Sequence, residues 1–272
     1  MPLDGGITNT NFVVEDRGRR FVVRIGEDIP VHQIMRANEL AASRAAHAAG
    51  LSPAVVHAEP GALVLDFIEG RTFAPEDVRS VSNRAALVDL VRRCHRDIPK
   101  HFRGPAAMFW VFHVLRDYSH ALKEGRSSHL RLLPQLLAEA EQLEMLVGPV
   151  EIVFGHNDLL AGNFIDDGKR LWLIDWDYAG FNSPLFDLGG LASNSELDVA
   201  ASEDILGLYY DRPVDDDLRL RAAAMTAASL LRETMWSMVS EIHSALSFDY
   251  AAYTAENLKR YEAAHAAIRD MT

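Results

Sequence analysis

The sequence predicts an α+β protein in two lobes, a small β-rich lobe followed by a larger helical one. Three observations predict it. Apolar residues fall in short alternating runs through about the first 67 positions, they recur at helical spacing after Gly70, and one strand-rich island at 152–176 interrupts the helices. The expected division is 1–67 and 68–272, with the joint at DFIEG, 66–70. A cleft between two such lobes is the default place for a ligand.

TNTNFVVE and RRFVVRI are β-rich runs around DRG, a hairpin signal. HQIMRANELAASRAAHAAG, 32–50, reads as a helix, with Ile34, Ala37, Leu40 and Ala41 at helical spacing and Gly50 where a C-terminal stop belongs. AVVHA and ALVLDFI are strands around the Pro60-Gly61 turn. Residues 83–96, 108–123 and 128–147 read as amphipathic helices, and 215–268 as mostly two long ones.

Composition removes several function classes. The 272 residues carry a formal charge of −12 and no basic run, which argues against nucleic-acid binding. No segment approaches ~20 consecutive apolar residues, so no membrane span is expected. The start MPLDGGITNTN has no signal-peptide pattern, and the single cysteine, Cys94, forms no internal disulfide; both fit a cytoplasmic protein. Cys94 lies in a helical pattern and reads as a buried structural thiol. The histidines show no zinc pairing.

The informative stretch is GHNDLLAGNFIDDGKRLWLIDWDYAG, 155–180. Asp167-Gly168 is a two-residue turn signal. Centring the hairpin there sets Asp166 opposite Lys169, Phe164 opposite Leu171 and Asn163 opposite Trp172, and gathers Asp158, Asn163 and Asp175 at its open end. Each of these alone is an ordinary loop residue. As a set, two carboxylates and an amide suit Mg²⁺, which takes one or two protein oxygens and fills its shell with water and phosphate. Asn163 and Asp175 would hold the ion, and Asp158 would accept a proton from an attacking hydroxyl, a phosphoryl-transfer layout. His156 beside them reads as a hydrogen-bonding strut. On strand 20–25, Arg24 shares a face with Val22, opposite Phe21, Val23 and Ile25; either a cleft or plain solvent exposure accounts for it.

HNDLLAGNFI followed by LIDWDYAGFNSPLFDLGGLASNSEL resembles the choline/ethanolamine kinases, within the wider group of aminoglycoside-phosphotransferase-like and protein-kinase-like folds. The likeness runs along nearly the whole chain and is most specific at 155–195. It implies ATP and Mg²⁺ as cofactors, Asp158 as catalytic base, and Asn163 and Asp175 as metal ligands. Arg24 would touch the ATP phosphates in place of a lysine, Glu39 would pair with it, and Asp187 would brace the catalytic loop. GGITNTN, 5–11, resembles a glycine-poor phosphate loop, with Thr8, Asn9 and Asn11 near the phosphates. Segment 66–70, with Asp66 and Ile68, would offer backbone groups to adenine. Only about four residues precede that loop, so either the edge strand is short or the true start lies upstream.

The same resemblance implies an acceptor site. Choline kinases carry a Trp and then an F-x-Y-x-x-Y cluster; Trp236, Phe248, Tyr250 and Tyr253 fit it. A quaternary ammonium donates no hydrogen bond, so aromatic faces and nearby negative charge must recognise it. Asp177 is expected to supply that charge. A second Trp often seen three residues earlier is replaced by Glu233, which suits ethanolamine or another amino alcohol as well. The expected function is therefore an ATP-dependent kinase of a small cationic alcohol, choline first, then ethanolamine. The alternatives are thiamine or an aminoglycoside as acceptor, or a nucleotide-binding regulatory module without turnover. The oligomeric state is not legible.

Overall fold

The computed structural model describes residues 2–3, 9–244 and 246–271. The chain opens with strands β1 (Pro2–Leu3), β2 (Thr10–Asp16) and β3 (Arg19–Ile25), passes through helix α1 (Arg36–Ala48), and returns as β4 (Val55–Glu59) and β5 (Ala62–Asp66). These strands form one antiparallel sheet in the order β1-β2-β3-β5-β4. Arg17 and Gly18 join β2 to β3 with φ of 50° and 74°, the left-handed pair that a two-residue hairpin requires. The register sets Arg24 beside Asn11 on one side and Leu63 on the other.

Helix α1 starts four residues later than the sequence pattern indicates. Residues Pro30–His32 form a 3-10 turn instead, and the Asp28 carboxylate accepts the Arg36 N–H at 2.7 Å. The stop is where Gly50 placed it. At φ 72° its N–H reaches His47 O, and Leu51 N–H reaches Ala46 O, the paired bonds of a Schellman motif.

The chain crosses out of the sheet at 67–70 and enters β6 (Arg71–Thr72). A five-residue helix, α2 (Pro75–Arg79), follows; it is too short to show a period and was not expected. Then come α3 (Val81–His101), α4 (Val111–Glu124), α5 (Leu133–Val147), β7 (Val153–Gly155), β8 (Phe164–Asp166), β9 (Leu171–Leu173), β10 (Gly180–Asn182), α6 (Pro184–Asn194), α7 (Val199–Tyr210), α8 (Asp216–His243) and α9 (Tyr250–Arg269). β6, β8 and β9 form a three-stranded sheet, and β7 pairs with β10.

The hairpin register differs from the two-residue turn that Asp167-Gly168 suggests. Phe164 faces Leu173, Ile165 faces Trp172 and Asp166 faces Leu171, so residues 167–170 form a four-residue loop. Asp167 is the reason: its Oδ1 accepts the N–H groups of Lys169 and Arg170 at 2.8 and 2.9 Å, building the turn on a side chain. The slip is two residues, so every side chain keeps its face. Asn163 moves from opposite Trp172 to Ile174, whose N–H it accepts at 3.0 Å, which carries it next to Asp175.

Helix α8 is the axis of the helical part, packed against α4, α5, α6 and α9. Its buried alanines (222, 224, 227 and 228) let neighbours approach closely. One close approach is at Gly189 of α6, where an added Cβ would sit 3.0 Å from the Thr226 amide nitrogen. No helix among the described residues is long and apolar enough to cross a membrane. Gly189→Ala is expected to push α6 from α8 and cost about 1–3 kcal/mol, read as a fall in the denaturant midpoint; an unchanged midpoint would refute the tight packing.

Candidate active site

Backbone bracing comes first. β7 ends at Gly155, and the chain turns through Asn157 in a left-handed conformation, φ 65°. Buried Asp187, in the first turn of α6, holds this corner. Its Oδ2 accepts His156 N–H at 2.8 Å and meets His95 Nε2 at 2.9 Å, while its Oδ1 accepts Asn157 N–H at 2.7 Å. Burial alone would raise its pKa, but the hydrogen bond and charge of His95 and the His156 amide hold it below the ordinary value. His156 is fully buried and meets Ile174 O through Nε2 at 2.9 Å, a link between the loop and the end of β9.

A 3-10 turn, Ala161–Asn163, follows the loop. Asn163 Nδ2 donates to the main-chain Asp158 O at 2.9 Å, a bond that leaves the amide oxygen able to accept a cation. Asp175 emerges from β9 at φ 69°. The Asp158 carboxyl is pushed up to about 8, chiefly by burial, with Glu233, Asp175 and Asp177 adding to the shift and Arg232 opposing it. Asp158, Asn163 and Asp175, separated along the chain, thus meet at the hairpin's open end.

The sheet contributes Arg24, which is buried, and the reading of an exposed arginine falls. Its Nη2 donates to Asp175 Oδ1 at 3.0 Å and Asp177 Oδ1 at 3.2 Å, and its Nε lies 3.3 Å from Glu39 Oε1 on α1. Burial opposes this charge, but Asp175, Asp177 and Glu39 together hold the Arg24 pKa above the usual guanidinium value. Arg36, one turn before Glu39, adds a second guanidinium: its Nη1 is 2.7 Å from both Glu39 Oε2 and Asp177 Oδ1. Burial still leaves Glu39 with a raised pKa, against Arg24 and with Asp177 reinforcing it.

Asp177 does not join the aromatic set as the sequence suggested. Its carboxylate is committed to Arg36, Arg24 and Asn9, whose Nδ2 donates at 3.0 Å. A carboxylate shielded from water takes charged partners where the fold offers them. Asn11 pairs with Arg24 across β2–β3, and its Oδ1 is buried without a hydrogen bond. Thr8 lies outside the described residues. Asp66 ends β5 and accepts Arg19 Nη2 at 2.8 Å. The amides of Asp66 and Phe67 donate to Ala54 O and Arg20 O, so Ile68 is the first residue of the crossing whose backbone is not tied to the sheet in this way.

These donors fit a hard divalent ion. Asn163 and Asp175 offer oxygen atoms, and three carboxylates (Glu39, Asp175, Asp177) face two guanidiniums, a local excess of negative charge. Among the described residues no cluster of three His, Cys, Asp or Glu makes an all-protein cage.

The aromatic set gathers at the junction of α8 and α9. Phe248 lies edge-on to Tyr250 and Tyr253, with centroids 4.9 and 5.6 Å apart, and Trp236 is 6.0 Å from Tyr250. Phe248 is 45% exposed, whereas Trp236 is buried and donates Nε1–H to Tyr178 Oη at 2.9 Å. Trp236 and Tyr250 line a recess of ≈ 260 Å³ that also includes His32, Ser240 and Asn9. Sequence reasoning missed Arg36, His32, Tyr178 and Arg232. Arg232 is buried, with its guanidinium 4.4 Å from the Tyr178 ring centroid. Its signal was available: an arginine inside the apolar helical run ASLLRETMW needs a buried partner.

Two outcomes are expected. Asp187→Ala strands two buried amides and is expected to cost about 3 kcal/mol or more in denaturant unfolding; a loss under 1 kcal/mol would contradict the bracing. Burial, aided by Arg232, depresses His32 to about 3. Protonation therefore favours the unfolded chain: the stability from neutral His32 is complete above the unfolded value of ~6.5 and is lost as pH falls toward the folded one. His32→Gln is expected to flatten the fall of Tm between about pH 6.5 and 4, measured against the parent protein.

The sequence model of the choline/ethanolamine kinase family matches residues 1–204, so the aromatic set at 236–253 lies beyond the match. Protein LicA of Haemophilus influenzae is 27% identical over 279 aligned positions, which span 98% of this chain and 79% of LicA. A solved choline/ethanolamine kinase family protein from Mesorhizobium loti superposes with a TM-score of 0.78 at 27% identity, covering 97% of this chain and 90% of that one. Plasmodium vivax ethanolamine kinase, at 18% identity, shares the fold with a TM-score of 0.82 over 100% of this chain and 84% of its own. With that fold, and with Asp158, Asn163 and Asp175 drawn together, the chain belongs to the choline/ethanolamine kinase family of ATP-dependent phosphotransferases.

Proposed function

We propose that this enzyme transfers the γ-phosphoryl group of ATP to the hydroxyl of a small cationic amino alcohol of the choline and ethanolamine class. The observation that supports the reading is the bond from Asn163 Nδ2 to the main-chain oxygen of Asp158, which together with the bond from Ile174 N–H to Asn163 O draws the segments that carry Asp158 and Asp175 to Asn163. In this reading residues 1–67 form the nucleotide lobe and 68–272 the lobe that holds the acceptor.

Asp158 accepts the proton of the attacking hydroxyl. A carboxyl with raised proton affinity is the stronger base once ionised, and a base poised near the working pH is the efficient one. Arg24 positions the phosphate chain, held by Glu39, with Asn9 and Asn11 at the same end of the sheet and Thr8 one position before Asn9 in sequence. Backbone groups around Ile68, next to Asp66, meet adenine. Asn163 and Asp175 would hold Mg²⁺, which when bound supplies neutralisation of charge on the phosphate oxygens. Asp177 serves this side, because its carboxylate orients Arg24 and Arg36. Asp187 and His156 keep the loop rigid. Trp236, Phe248, Tyr250 and Tyr253 offer ring faces to the ammonium group. Catalysis is then placement and electrostatics.

Asp158→Ala is expected to lower ATP-dependent phosphorylation of choline or ethanolamine by about 10²–10⁴-fold with Tm retained. ADP release over an acceptor panel with Mg²⁺ reads the result. A variant that keeps most of its turnover removes Asp158 from the reaction, and a panel in which only thiamine or an aminoglycoside reacts removes the amino-alcohol reading.

A further inference from the structure

Glu233, which stands where choline kinases often carry a second Trp, is a carboxylate with no role in the reaction described above. Glu233 lies three residues before Trp236 on α8, hence on the same helix face. The neighbouring Arg232 guanidinium lies 4.4 Å from the Tyr178 ring centroid, and Tyr178 Oη accepts the Trp236 Nε1–H, so Glu233 stands at the aromatic set. Two bonds fix it, one at each oxygen: Tyr253 Oη donates to Oε1 at 2.7 Å, and Arg232 Nη1 donates to Oε2 at 2.9 Å. Its side chain keeps 20% exposure, and an ionised carboxylate has about four acceptor sites, so both oxygens keep capacity for a ligand. Phe248 in turn lies edge-on to Tyr253, with centroids 5.6 Å apart.

We infer that Glu233 determines acceptor specificity by taking hydrogen bonds from the N–H groups of the acceptor's ammonium, and that it favours a primary or partly methylated ammonium, as in ethanolamine, over a trimethylammonium. The assignment rests on the amino-alcohol reading above. The pairing with Arg232 supplies the physical reason. Arg232 cancels much of the long-range attraction of Glu233, so a group that offers only charge gains little from it. A group that offers N–H donors gains directional, charge-assisted bonds. In an amino alcohol two carbons separate the hydroxyl from the nitrogen, so an acceptor with its hydroxyl at Asp158 and its ammonium against Tyr253 would present its N–H groups to the carboxylate that Tyr253 holds. Tyr253 and Arg232 are positioning residues in this arrangement.

The test is steady-state kinetics of the full chain with ethanolamine, its mono- and dimethyl forms, and choline. The kcat/KM of the parent enzyme is expected to fall along the methylation series. In Glu233→Gln the ethanolamine-to-choline ratio of kcat/KM is expected to drop about ten- to hundredfold, the worth of a hydrogen bond to a charged group. An unchanged ratio, or a parent enzyme that prefers choline, overturns the assignment. If Glu233→Gln fails to fold, Tyr253→Phe, which frees Oε1 and loosens the carboxylate, is expected to lower the same ratio about threefold or more, and an unchanged ratio there also overturns it. A parent enzyme that phosphorylates none of the four overturns the amino-alcohol reading itself; turnover of all four with no dependence on Glu233 overturns this assignment alone.

Discussion

A guanidinium taken out of water has to be answered by carboxylates, and the two-lobed arrangement is organised around that requirement at Arg24. Three segments answer it. α1 brings Glu39, and the chain after β9 brings Asp175 and Asp177. The sheet, the helix against it and the chain after the β8–β9 hairpin are thereby tied at one point. Removing one partner of such a cluster leaves a buried charge unpaired, which typically costs ~3–5 kcal/mol. Arg36 shares the load by bridging Glu39 and Asp177. A phosphate chain would compete with these carboxylates for Arg24, and Arg36 remains to hold Glu39 and Asp177 when it does.

The reactive residues need a second kind of support, because a loop carries few contacts of its own. Asp187 provides it from α6, with main-chain amides on two of its bonds and His95 on another. Its position depends in turn on how closely α6 lies on α8. Gly189 permits that approach two residues later in the same helix. A glycine with no chemistry of its own therefore bears on where Asp158 stands.

The acceptor side carries a balance of charge rather than a plain aromatic box. Arg232 lies buried over Tyr178 and next to Glu233, and both act on Asp158. Trp236 is tethered to Tyr178 and packs at a tilt against His32, with centroids 5.0 Å apart, so much of its surface is already spent on packing. Phe248 and Tyr253 are the more accessible rings. Under the proposed amino-alcohol reading, this uneven exposure would make hydrogen bonding, and not ring faces alone, a means of telling such acceptors apart.

The sequence by itself determined the two-part α+β architecture, the Gly50 stop, the two long C-terminal helices and the grouping of Asp158, Asn163 and Asp175. Each of these follows from local rules: periodicity, turn residues, and polar groups at the ends of apolar runs. Tertiary structure alone decided the hairpin register, the start of α1, the partners of Asp177 and the depth at which Arg24 and Arg232 lie. The register turned on the Asp167 side chain building a longer loop, and Asp177 turned on Arg36, which is 141 positions away. Local patterns state which residues are polar or apolar. Which charge meets which, once water is excluded, depends on elements that only folding brings side by side.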